Sequence, residues 1–259
     1  MGAGDSAGPR SLWTEGQMAL LELNGVTKRF GGLTAVNNVT FNVEAGSIFG
    51  LIGPNGAGKS TLLNCLAGLT RPNAGTIHFD GHDTTGFPAD KMSRLGLGRT
   101  FQIPRPFPRM TALENVAVSA SFGGARLGAR AVQERSLEML EYVEFPRAPH
   151  TSAATLNAVQ LKRLDLARAL ASRPKMLFLD EFAAGLTPSE LHDIAKLLRR
   201  IRDDGTTILM VEHVMRLIMD LCDTLSVLQF GELISHGDAA TVAQDERVRE
   251  AYLGPNYML

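Results

Sequence analysis

The stretch "GPNGAGKST", Gly53 to Thr61, decides how this sequence folds. It reads glycine, four residues, glycine, lysine and serine, a pattern typical of a loop that wraps around nucleotide phosphates. The apolar run "SIFGLIG" in front of it predicts a buried strand, and "KSTLLNCLAGL" at its end predicts a helix. A strand, a glycine-rich loop and a helix in this order predict an α/β nucleotide-binding domain.

Each residue type in this loop has a physical role toward a bound phosphate. The glycines let backbone amides approach the phosphate oxygens closely. Lys59 would reach the β and γ oxygens, and Ser60 would ligate magnesium at the N-terminus of the helix. A nucleoside triphosphate and Mg2+ are therefore the expected ligands, and the family resemblance given below implies that the nucleotide is ATP. We expect the whole loop to contact the nucleotide, namely Gly53, Pro54, Asn55, Gly56, Ala57, Gly58, Lys59, Ser60 and Thr61.

A second motif, "MLFLDE" from Met176 to Glu181, predicts the other half of the site. Its buried strand would deliver Asp180 to the magnesium ion, and Glu181 would polarise an attacking water. Two adjacent acids at the end of a strand are, taken alone, often only solvated side chains. Together with the phosphate loop, they indicate hydrolysis of a nucleoside triphosphate.

Composition limits the classes of function. The 259 residues carry a net charge of −1, from 26 basic and 27 acidic side chains, so nucleic acid is not an expected partner. Charged residues interrupt every hydrophobic run before the roughly 18 apolar residues that a membrane-spanning helix needs. Cys65 and Cys222 lie in apolar stretches and are expected to be reduced core residues, which favours the cytoplasm.

The order of the patterns predicts the domain organisation. Residues 1–17 are rich in small and polar side chains and are expected to be a disordered extension, whereas 18–259 form one domain. Alternating β runs begin this domain, and strands and helices then alternate as expected around a mostly parallel sheet. A helical subdomain is expected at about 103–172, with Leu137, Leu140 and Val143 on one buried helix face.

Further motifs carry a family resemblance. The segments "KRFGGLTAVNNV", "GRTFQ", "TALENV", "DEFAAGLTP" and "VREAYLG" follow one another in the order and spacing of ATP-binding-cassette (ABC) ATPase subunits. The chain resembles this family from about Leu20 to Gly254, and within it most resembles the ATPases of branched-chain amino-acid importers. Amide or urea importers and the lipopolysaccharide-export ATPase are weaker matches. The resemblance implies an ABC ATPase fold, with an N-terminal antiparallel β subdomain and a helical insert.

The resemblance also implies roles for residues outside the two main motifs. Phe30 would stack on adenine, and His213 would be the switch residue near the γ-phosphate. Gln102 would contact both the metal and the water, which makes the expected metal-binding set Ser60, Gln102 and Asp180. The expected catalytic set is Glu181, His213 and Gln102.

One motif departs from the family pattern. The signature LSGGQ is replaced by "LNAVQ", Leu156 to Gln160, so valine stands where the last glycine is expected. In this family the signature acts on the ATP of the opposing subunit, and we expect Asn157 and Gln160 to contact that nucleotide. Other departures are Phe182 for proline, Val214 for aspartate and Gln229 for an acid.

The implied function is an ATP-hydrolysing subunit that drives import of branched-chain amino acids or similar small solutes. Its expected partners are a second ABC ATPase subunit, transmembrane permease subunits and, indirectly, a solute-binding protein, at the cytoplasmic face of the inner membrane. Phe107 and Met110 would line the groove for a permease helix, or else pack internally. The alternative is an ATP-gated regulatory or scaffold cassette that hydrolyses ATP weakly because of its altered signature.

Overall fold

The computed structural model of the chain describes residues 19–123 and 127–253, which form two β-sheets and the helices around them. The extension expected at 1–17 and the end of the family resemblance at Gly254 lie outside these residues. The strands are β1 Ala19–Phe30, β2 Leu33–Glu44, β3 Ile48–Ile52, β4 Ala74–Phe79, β5 His82–Asp83, β6 Leu97–Arg99, β7 Met176–Asp180, β8 Thr207–Val211, β9 Thr224–Gln229 and β10 Glu232–Asp238.

Helices connect most of these strands. In the described ranges they are α1 Lys59–Leu66, α2 Ala89–Leu95, α3 Ala112–Phe122, α4 Ala129–Tyr142, α5 Ala158–Ala171, α6 Pro188–Asp203, α7 Met215–Leu221, α8 Ala239–Gln244 and α9 Glu246–Leu253. A short 3-10 helix, Ala153–Thr155, precedes α5. Within these ranges, no helix is both long enough and apolar enough to cross a bilayer.

The larger sheet is mostly parallel, as predicted. Its order is β10-β9-β3-β8-β7-β6, and only the β10–β9 pair is antiparallel among the described strands. Every residue of β3, β7 and β8 is buried, because helices and the second sheet cover both faces. These strands therefore read as continuous apolar runs in the sequence.

The smaller sheet is antiparallel and has the order β2-β1-β4-β5. Its apolar side chains, among them Leu21, Leu23 and Phe41, belong to one buried cluster together with β3 and α1. The rings of Phe41 and Phe49 stack with their centroids 4.9 Å apart, which joins this sheet to the larger one. The predicted antiparallel N-terminal subdomain is confirmed.

Helices α3, α4 and α5 pack against one another in the region expected to be helical. The buried positions of α4 include Val132, Ser136, Met139 and Leu140, whereas Leu137 is 40% exposed. The prediction that Leu137 lies on the buried face is therefore wrong. The reason is that the buried face continues through Ser136, whose hydroxyl donates to the carbonyl of Val132 at 2.6 Å and is thereby satisfied inside the helix.

We expect the close contact between β3 and β9 to make Gly50→Ala destabilising. A Cβ at this buried position would lie 2.4 Å from Leu225 Cδ2 and 2.9 Å from Cys222 Sγ. Overpacking of this kind costs about 1–3 kcal/mol. Urea unfolding should show a lower midpoint with an unchanged slope. Gly32→Ala is the matched control, because a Cβ there meets no atom within 4 Å, and equal midpoints for both variants would contradict the expectation.

Candidate active site

The predicted site residues gather at one edge of the larger sheet. The phosphate loop follows β3, His213 follows β8, Asp180 ends β7, and Gln102 follows β6. These four strands are parallel neighbours in the order β3-β8-β7-β6. Because parallel neighbours end at the same edge of a sheet, segments far apart in sequence meet there, and this edge is where α/β sheets bind ligands.

Two positions of the phosphate loop require glycine, because their φ angles are positive and other backbone atoms lie too close for a side chain. Gly53 has a φ of 147° and Gly58 a φ of 101°. A Cβ would lie 2.1 Å from the Leu228 carbonyl oxygen at Gly53, and 2.3 Å from the Ala35 carbonyl oxygen at Gly58. Gly58 is also the N-cap of α1 and supplies no side chain, so the first amides of that helix are suited to bind an anion.

Lys59 lies folded across this loop. Its Nζ donates to the carbonyl oxygens of Gly53 at 2.7 Å and Pro54 at 2.9 Å, and only 6% of the residue is exposed. Burial lowers the pKa of Lys59, while the negative charges of Glu181 and Asp180 oppose that shift. A buried cation next to two carboxylates and the loop amides is suited to hold phosphate oxygens.

The three expected catalytic side chains meet at one carboxylate. Gln102 Nε2 donates to Glu181 Oε2, and His213 Nε2 lies 3.4 Å from the same oxygen. The backbone of Glu181 is left-handed, with a φ of 47°, and its N–H donates to the carbonyl of Val211 at 2.8 Å. Non-glycine residues in this conformation are uncommon and cluster at functional sites.

Asp180 has a cationic partner that the sequence interpretation missed. Arg99 donates to Asp180 Oδ2 at 2.9 Å and to Asn64 Oδ1 at 2.8 Å, and both charged side chains are nearly buried. The arginine thereby joins β6 and β7 to α1. The available signal was an arginine at the end of the short strand in "GLGRTFQ", because a charge entering a buried parallel sheet needs a partner.

The expected metal-binding residues fit magnesium chemically. Ser60, Gln102 and Asp180 offer hydroxyl, amide and carboxylate oxygens, which are the donors that Mg2+ prefers. Asp180 uses only Oδ2 in its ion pair with Arg99. Among the described residues, no group of three or more His, Cys, Asp or Glu side chains is placed to hold a metal.

Phe30 lies on the β1–β2 hairpin, which also contacts the phosphate loop through Ala35. Its ring is half exposed, and Lys28 Nζ lies 4.9 Å from the ring centroid. An exposed aromatic ring on this hairpin is suited to stack on a nucleotide base.

The altered signature forms the N-terminus of α5. Asn157 is the N-cap of α5, and its Oδ1 accepts from the Gln160 backbone N–H at 2.9 Å. In return, Gln160 Oε1 accepts from the Asn157 N–H at 3.1 Å. Val159 lies in the first turn of α5 and does not have a positive φ, so the local backbone does not require glycine. Within the described residues, no hydrogen bond joins Asn157 or Gln160 to the phosphate loop.

Comparisons with known proteins agree with this geometry. The ABC transporter family model matches residues 36–184, and a model described as "Branched-chain amino acid ATP-binding cassette transporter" matches 232–254. The chain is 39% identical over 249 residues to the "High-affinity branched-chain amino acid transport ATP-binding protein BraF" of Pseudomonas aeruginosa, covering 91% of this chain and 98% of that protein.

Solved structures give the same result. The structure described as the ADP conformation of MJ1267, an ATP-binding cassette of an ABC transporter, superposes with a TM-score of 0.84 at 30% identity, covering 92% of this chain and 99% of the other. A dimeric ABC cassette in a post-hydrolysis state, MJ0796 bound to ADP and Pi, has a TM-score of 0.77 at 28% identity, covering 85% and 98%. The chain therefore belongs to the ABC transporter family, as an ATP-binding ATPase subunit homologous to those of branched-chain amino-acid importers.

Proposed function

We propose that this chain hydrolyses Mg–ATP to energise import of branched-chain amino acids or similar small solutes. It would work with a second ABC ATPase subunit on transmembrane permease subunits, at the cytoplasmic face of the inner membrane. The observation that carries the proposal is the meeting of Gln102, Glu181 and His213 beside the phosphate loop. The family match at 232–254 supports the solute class.

The residues at the sheet edge divide the chemistry between them. Lys59 and the amides of the phosphate loop hold the β and γ phosphates, and Phe30 stacks on the adenine. Glu181 polarises the attacking water, while Gln102 and His213 hold that carboxylate and the γ-phosphate region in place. A magnesium ion held by Ser60, Gln102 and Asp180 would neutralise phosphate charge when bound.

A second cassette would supply the signature that faces the phosphate loop of this chain. Asn157 and Gln160 would act on the nucleotide of the opposing subunit, as part of a helical subdomain at about 103–172. The dimeric cassette of MJ0796 supports such an arrangement. A solute-binding protein would act only through the permease.

A groove next to Gln102 is suited to receive a permease helix. Phe101 and Phe122 line it together with the charged pair Asp165 and Arg168. Apolar side chains stay accessible in this region, which is unusual for a surface without a partner. Their exposed fractions are 39% for Phe101, 74% for Ile103, 42% for Phe107, 36% for Met110 and 79% for Phe122.

We expect Lys59→Ala to weaken ATP binding by at least about 10-fold, because a buried charge-assisted hydrogen bond to phosphate is lost. Titration with a fluorescent ATP analogue at fixed magnesium concentration measures the affinity. Lys196→Ala is the control, because Lys196 is an exposed lysine on α6. Equal affinities for the Lys59 variant and the parent chain would contradict the assignment.

Glu181→Gln should retain ATP binding but slow hydrolysis by about 100-fold or more, since it keeps the shape of the side chain and removes the charge that polarises water. Phosphate release at saturating ATP measures the rate, with Glu141→Gln on the exposed side of α4 as the control. In cells that lack their own importer, uptake of labelled leucine through the co-produced permease should fall in parallel. A variant that hydrolyses ATP at the parental rate would exclude Glu181 as the catalytic residue. Uptake that is insensitive to the variant would exclude the importer role.

We expect the isolated chain to hydrolyse ATP slowly, because Val159 places a branched side chain where the signature backbone approaches the partner's phosphate. Combining Val159→Gly with Asn157→Ser should raise the rate, by up to about 100-fold if the displacement is about 1 Å. Serine also preserves the N-cap of α5, and Asn157→Ser alone is the control. A brisk parental rate that the double change does not raise would show that the missing glycine is harmless.

A further inference from the structure

Residues 182–186, the post-catalytic turn, follow Glu181 and contact a buried lysine. Lys162 Nζ donates to the carbonyl oxygen of Phe182 at 2.7 Å and to that of Ala184. Only 9% of the lysine is exposed, and its Nζ lies 5.9 Å from the centroid of the Phe182 ring. One ammonium group therefore fixes two carbonyls of the turn.

A buried carboxylate fixes the other side of the Phe182–Ala183 peptide group, whose carbonyl Lys162 holds. Glu212 Oε1 accepts from the Ala183 N–H at 2.6 Å, and the residue is fully buried. Its Oε2 has no hydrogen-bond partner among the described residues. Burial raises the pKa of Glu212 and lowers that of Lys162, and the charge of each group opposes the shift of the other.

Lys162 and Glu212 lie in segments that also contain other predicted site residues. Lys162 lies in α5, the helix that begins at the altered signature, and Glu212 immediately precedes His213. Burying a charge costs more free energy than burying an apolar side chain of similar size. Packing alone does not explain a buried lysine and a buried glutamate at these positions, whereas a need to fix two peptide groups of the turn does.

The conformation of Glu181 depends on the same turn. The Ala184 N–H donates to the carbonyl oxygen of Glu181 at 3.2 Å, which closes the turn on the left-handed residue. Phe182 lacks the ring by which a proline would fix its own φ angle. The backbone after Glu181 is therefore held by Lys162 and Glu212.

We propose that Lys162 and Glu212 are positioning residues, which hold the post-catalytic turn so that the Glu181 carboxylate stays aligned with the attacking water. The proposal rests on the proposed role of Glu181. Because Lys162 lies in α5, the alignment of the Glu181 carboxylate depends on the position of this helix. The N-terminus of α5 would face the opposing cassette.

Lys162→Met in the full chain tests this proposal, because methionine keeps the length of the side chain and removes all donors. Turnover at saturating Mg–ATP should fall by about 10-fold or more, while the affinity for ATP stays within about twofold of the parent. Lys162→Arg should restore much of the turnover, because its guanidinium group can donate to both carbonyls. Lys196→Met on the exposed face of α6 is the matched control.

Hydrogen exchange gives a readout that does not depend on activity. In Lys162→Met, peptides that cover 181–187 should exchange faster, whereas peptides from β3 should not change. Glu212→Leu should give the same exchange pattern, because it removes the acceptor of the Ala183 N–H. Parental protection of 181–187 in both variants would overturn the proposal.

The outcomes separate this proposal from the proposed function. If Glu181→Gln is slow and Lys162→Met turns over at the parental rate, the positioning role is overturned and the ATPase assignment stands. If Glu181→Gln itself hydrolyses ATP at the parental rate, the role of Glu181 fails. Should Lys162→Met not fold, Lys162→Gln keeps a single polar donor group. An intermediate turnover in that variant would support the proposal, and a parental turnover would overturn it.

Discussion

The parallel pairing of β3, β8 and β7 is the constraint on which the rest of the structure depends. Every residue of these strands is buried, so neither face of the sheet is open to solvent there. Polar chemistry is confined to the edge where the strands end. The phosphate loop, His213, Asp180 and Glu181 all leave the sheet at this edge. The order of the strands thus brings together three segments that lie far apart in the sequence.

Local motifs could be predicted from the sequence because their meaning depends on neighbouring residues only. The phosphate loop needs glycines, a lysine and a helix start in succession, and all of these lie within Gly53 to Thr61. The expectation that Leu137 is buried is wrong because its neighbour Ser136 occupies the buried position. The Ser136 hydroxyl can be buried because it donates a hydrogen bond within the helix. A polar residue at a buried position cannot be recognised from the spacing of apolar residues, so the buried face of the helix is assigned incorrectly.

Contacts between distant segments could not be predicted in the same way. Arg99 and Asp180 are 81 positions apart, and Ala183 and Glu212 are 29 apart. Each of these side chains is individually unremarkable, and only the folded sheet shows that it is buried and which group it meets. Both cases follow one physical rule, that a charge removed from water needs a partner. The rule indicates that a partner exists without saying where it lies in the sequence.

The ion pair of Arg99 with Asp180 gives the folded chain its own counter-ion. Without this partner the Asp180 carboxylate would be an uncompensated buried charge, and such a charge lowers the free energy of unfolding by several kcal/mol. Here the guanidinium, which is anchored on Asn64, neutralises that charge permanently. The charge of Asp180 is therefore balanced within the fold itself, independently of any ligand.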